Sequence, residues 1–174
     1  MSGARSFAVH AGARAAAHVR ANGLSPGDIG CVPAAAGGPK GLALIPLDRR
    51  LFDPARGWLR HATLELVGAS IGAWRMAALA QPDALAALDR LQDAYVRGQD
   101  YPSKPSPDEV AATCRRIARA VLGDRALEVR QGVSLTVITS RARGPLHGTE
   151  SKLAFARATL SNAVARERLA PYLE

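Results

Sequence analysis

From Ala62 to Ala80 the chain reads ATLELVGASIGAWRMAALA. An apolar, β-prone run meets a helix-prone run at a serine with a glycine two positions to either side, Gly68-Ala69-Ser70-Ile71-Gly72. A strand that turns straight into a helix belongs in a layered α/β sheet, where each element buries its apolar side against the other. The G-x-S-x-G pattern adds chemistry to that junction. In a strand–turn–helix setting the serine takes a sharp, strained turn and its hydroxyl rises above the sheet edge. The glycines let strand and helix close around the turn, and the helix N-terminus aims partial positive charge at the reaction centre. Ser70 is the candidate nucleophile; the plainer reading is a tight turn with a capping serine.

The rest of the chain repeats the alternation. Residues 8–22 are Ala-rich and predict a helix, broken by NGLSPGD. Ile29–Ala36 predicts a short buried strand. In KGLALIPLDRRLF, Leu44, Leu47, Leu51 and Phe52 have helical spacing, but Pro46 argues against a regular helix or demands a kink. Residues 83–97 predict an amphipathic helix with Leu85, Leu88, Leu91 and Tyr95 on one face. Residues 98–107 form an exposed, proline-rich connection. Ser106 then predicts an N-cap, with Pro107 first in the helix, Glu109 completing a capping box and Gly123 closing the element. Val133–Ser140 predicts a β-branched strand, and residues 149–169 a last long helix. The strands read as continuous apolar runs, the pattern of parallel strands covered on both faces. The expected architecture is α/β, in one domain over residues 1–174.

Composition narrows the function classes. A formal charge of +8 raises the question of acidic partners. The basic residues are mainly scattered arginines without a dense block or aromatic interleaving, so nucleic-acid binding is disfavoured. Cys31 and Cys114 lack metal-ligand spacing and read as buried thiols rather than a disulfide. His10, Arg14, His18 and Arg20 break up any signal peptide, and no uninterrupted apolar stretch is long enough to span a bilayer. A reducing, cytoplasmic setting is expected.

An acyl hydrolase needs backbone N–H donors for the developing oxyanion. AAAGGPKG, Ala34–Gly41, supplies candidates: Gly37 and Gly38, followed by Lys40 and Gly41. A phosphate loop fits poorly, because Lys40 is followed by glycine rather than Ser or Thr, and G-x-G-x-x-G is absent. Together AAGGPKG and GASIGAW resemble the patatin-like phospholipases, with their G-G-x-[RK]-G loop and G-x-S-x-G elbow. The resemblance covers roughly Ile29 to Ala80. It implies that Ser70 is the nucleophile, that Gly37 and Gly38 are oxyanion-loop glycines, that Lys40 is the loop's basic residue and Gly41 its closing glycine. Ala36 stands where many members have a first glycine. The resemblance further implies a three-layer α/β/α fold and a lipid acyl hydrolase without metal or cofactor, making transient contact with a membrane surface.

Family members pair the serine with an aspartate in a D-G-[GA] motif. This sequence has no Asp-Gly dipeptide, and its last aspartate is Asp124. A chain incomplete at its C-terminus, or an inactive binding module, is therefore an expectation beside the enzyme. His147 is the one histidine after Ser70, with Asp100, Asp108 and Asp124 as possible acids for a Ser-His-Asp arrangement. Asp108 and Glu109 read more simply as first-turn residues favoured by the helix dipole. Trp74 and Arg75 follow the serine, with packing and solvent exposure as their default readings; Arg75 could also meet a lipid headgroup.

Overall fold

The computed structural model describes residues 10–101, 104–123, 128–141, 143 and 152–164. Helix α1 (Ala13–Asn22) is followed by a short 3-10 turn, strand β1 (Cys31–Ala34) and a 3-10 stretch (Gly38–Leu44) that runs into α2 (Ile45–Phe52). Strand β2 (Leu64–Ala69) leads directly into α3 (Ile71–Leu79), then α4 (Ala84–Gly98), α5 (Pro107–Leu122), β3 (Val133–Ile138) and α6 (Lys152–Val164). The sheet is small and open, in the order β1-β2-β3. β1 and β2 are parallel, with Cys31 opposite Glu65 and Ala34 opposite Gly68. The fold is α/β. The chain divides into two compact units, Met1–Thr136 and Val137–Glu174. Within the second, α6 leaves Leu153, Leu160 and Val164 exposed.

Among the described residues of the first unit, α3, α4 and α5 cover one face of the sheet. Leu64, Leu66 and Gly68 of β2 are buried, while Glu65 between them is exposed. On the same face Val32, Ala34, Val133 and Leu135 pack with Met76, Leu79, Leu88, Leu91, Ile117 and Val121 from α3, α4 and α5. Cys31, Pro33, Glu65, Ser134 and Thr136 are exposed, and the Thr136 hydroxyl donates to Glu65 Oε1 at 2.9 Å. Within the first unit the described strands thus bury one side and expose the other. The apolar runs hide a period of two, with polar or small residues on the outer side. Cys31 falls on that outer side, and Cys114 lies one position off the buried stripe Thr113, Ile117, Val121 of α5. Both thiols are free and exposed, contrary to the expectation that they would be buried.

Pro46 also differs from expectation. It sits in the first turn of α2, where its missing N–H has no helical partner to lose, and it starts the helix rather than kinking it. α5 forms as its sequence dictates. Glu109 Oε2 accepts from Ser106 N and from Ser106 Oγ, both at 2.8 Å, while Ser106 Oγ accepts from Glu109 N at 3.3 Å. The bonds from the Ser106 backbone N–H and hydroxyl hold the Glu109 carboxyl below its ordinary range. At the other end Gly123 adopts φ +74°, and its N–H donates to Arg119 O at 2.7 Å.

Candidate functional site

Parallel strands send their C-terminal ends to one edge, and the crevice outside that edge is where open α/β sheets place ligands. With Ala34 level with Gly68, the glycine loop after β1 and the turn after β2 leave the sheet side by side. Both sequence motifs therefore arrive at one place, although Lys40 and Ser70 are thirty positions apart.

Ser70 is the whole turn between β2 and α3. Its backbone is at φ 53°, ψ −125°, and it is the one non-glycine residue with positive φ among the described residues. A serine in that region carries a cost of about 1–3 kcal/mol that the surroundings must impose. Those surroundings are tight backbone contacts. A Cβ on Gly72 would lie 2.1 Å from the Ala34 carbonyl oxygen, and one on Gly68 would lie 2.5 Å from Ala73 N and Cα. β1, β2 and α3 thus close around the turn at van der Waals limits, and only glycine fits at either flank. The Ser70 side chain is exposed and caps nothing in the helix it precedes, while its carbonyl accepts from Trp74 N at 3.2 Å. The capping reading of Ser70 fails on this point.

The four loop residues have different roles. Gly38 holds φ +56°, with nothing within 4 Å of where its Cβ would be. Gly37 has φ −176° and ψ 8°, with nothing within 4 Å of where its Cβ would be. Gly41 is fixed by packing: a Cβ there would come within 2.6 Å of Ile71 Cγ2. The loop therefore rests on the first residue of α3, next to Ser70. Lys40 is exposed, as are Leu44 and Leu47 beyond it, at 46% and 53%.

Arg75 is not at the surface. Its Nε donates to Asp48 Oδ2 and its Nη2 to Asp48 Oδ1, both at 2.7 Å, with both residues about 5% exposed or less. The fork joins α2 to α3 across twenty-seven positions of sequence. The solvent and headgroup readings of Arg75 are corrected by this geometry. Trp74 is half-buried and packs against the core, in keeping with its packing role. Sequence reasoning passed over Asp48. A signal was present: Ile45, Asp48 and Phe52 form the buried stripe of α2, and a carboxylate on such a stripe calls for a cation.

No described residue hydrogen-bonds the Ser70 hydroxyl. Asp108 lies in the first turn of α5. Asp124 and His147 fall outside the described residues. Among the described residues no three His, Cys, Asp or Glu side chains gather as a metal set, and no helix is long and apolar enough to cross a membrane. No protein-family model, curated protein or solved structure matches the chain.

Proposed function

We propose that this chain is a serine acyl hydrolase of lipid esters, built on the patatin-like three-layer α/β/α plan. The observation that carries the reading is the backbone of Ser70: a polar, exposed side chain held at φ 53° between two obligatory glycines. A mere connection would place glycine there. Strain kept at a nucleophilic residue, at the ligand-binding edge of a parallel sheet, fits an activated turn.

In this mechanism Ser70 Oγ attacks the ester carbonyl carbon as its proton passes to a base. The carbonyl oxygen becomes an oxyanion, met by the amides of Gly37 and Gly38 and by the N-terminus of α3. Collapse expels the alcohol, which takes up the proton, and leaves an acyl group on Ser70. Water then attacks that ester and frees the acid and the serine. The loop's Lys40 would attract an anionic headgroup, and exposed Leu44 and Leu47 beside it would meet the apolar part of a lipid surface. Two free thiols suit a reducing, cytoplasmic setting.

The test is phosphonylation by a soluble fluorophosphonate, with p-nitrophenyl ester hydrolysis alongside. Labelling of wild type and none in Ser70→Ala is expected; equal labelling of the two removes Ser70 from the role. A second reading, an inactive member that binds lipid, draws on the Ser70 hydroxyl having no hydrogen-bond partner among the described residues. That reading predicts no labelling but retained binding to anionic vesicles.

A further inference from the structure

We propose that Asp48 and Arg75 are positioning residues, a clamp that sets where the glycine loop stands relative to Ser70. The inference rests on the serine-hydrolase reading and adds to it the device that aligns the two halves of the site.

A buried ion pair is a poor way to gain stability. Desolvating both charges costs several kcal/mol, and well-packed apolar replacements are often neutral or stabilising. The two helices already bury apolar side chains, Ile45 and Phe52 on α2 and Ile71, Met76 and Leu79 on α3. What the pair adds is geometry. Two parallel bonds of 2.7 Å fix both the separation and the angle of the groups they join, which apolar contact does not.

The groups joined are the relevant ones. Asp48 is in the helix that continues the 3-10 stretch from Gly38, and Arg75 is little more than one turn beyond Ser70. Oxyanion donors must sit about 2.7–3.1 Å from the developing charge, and a misplacement of about 0.5 Å is already damaging. Gly41 against Ile71 holds the 3-10 stretch, and Asp48 with Arg75 holds the helix that continues it. Without the second hold, α2 could pivot about the Gly41 contact and carry the Gly38 amide off line.

The clamp is tested with Asp48→Leu/Arg75→Met, which keeps bulk and removes both charges. Expected results are a melting temperature at or above wild type, kcat for a p-nitrophenyl ester down at least ten-fold with KM within two-fold, and faster amide exchange across Gly38–Leu44. Wild-type kcat together with wild-type exchange in that variant overturns the clamp. Exchange is read without substrate, so it decides the clamp even if Ser70 resists the fluorophosphonate, a result that would remove the hydrolase reading alone. Should the double variant fail to fold, Arg75→Lys replaces it, since lysine keeps the charge and loses the fork. The same kinetic and exchange signatures are expected there, and their absence overturns the proposal.

Discussion

The turn at Ser70 and the start of α5 are both places where a serine precedes a helix, and they are built in opposite ways. At Ser106 every local preference agrees. The serine is extended, its hydroxyl and backbone N–H engage Glu109, Pro107 takes the first turn, and Gly123 ends the helix. At Ser70 the backbone occupies a region serine avoids, the side chain caps nothing, and the neighbours are glycines squeezed against carbonyls and amides. The first serine stabilises its helix from within. The second is imposed on its helix from outside, by β1 and β2. Departures from local consistency that the rest of the fold sustains are where function is to be sought.

The sharpest way to break the contrast is at the imposing contacts. Gly72→Val should cost about 3 kcal/mol or more, because the added carbons meet the backbone of Ala34 and Ala35 rather than a flexible side chain. Urea denaturation measures the loss, and a midpoint near wild type would mean that the turn is not held from outside. Next in size is the strain itself. Ser70→Gly should be more stable than Ser70→Ala by about 1 kcal/mol, since glycine accepts the positive φ and both lack the hydroxyl. Neither should be labelled by fluorophosphonate. Equal melting temperatures would show the turn to be relaxed.

At the other serine the sign reverses. Ser106→Ala should destabilise by about 0.7 kcal/mol, the low end for an exposed cap, while labelling at Ser70 continues. The smallest effect is the pH response of that cap. The Glu109 carboxyl is lowered from 4.5 by its bonds to Ser106, so its contribution is fully present above that value. It should fade as pH falls through the lower, folded value. Amide protection at the start of α5 should weaken in acid for wild type and stay level for Glu109→Gln.

The same contrast explains what could be read in the sequence. The limits of α5 were legible because its signals lie within a few residues of what they control: Ser106, Pro107, Glu109, Gly123. Ser70 was legible as a candidate because G-x-S-x-G is also local, and its strand and helix flank it directly. The contacts that strain its backbone are not local. The clash between Gly72 and Ala34 depends on β1 lying parallel to β2 in one register, and no window of sequence states a register. Asp48 and Arg75 escaped for the same reason: each looks like an ordinary surface charge until α2 and α3 are packed together. Cys31 was misjudged because an apolar run of four to eight residues does not say which alternate side chains face outward.

The glycines around Ser70 have an evolutionary corollary. Gly68 and Gly72 are held by backbone collisions that exist whether or not any ester is ever cleaved. On the hydrolase reading Ser70 is held by its use alone, for its hydroxyl caps no helix and its conformation suits glycine better. A lineage that abandoned catalysis would therefore shed the serine early, with glycine as the favoured replacement, and keep both flanking glycines under purifying selection. Descendants reading G-x-G-x-G at this turn would mark lost activity, and persistence of serine across diverged copies would mark activity still under selection.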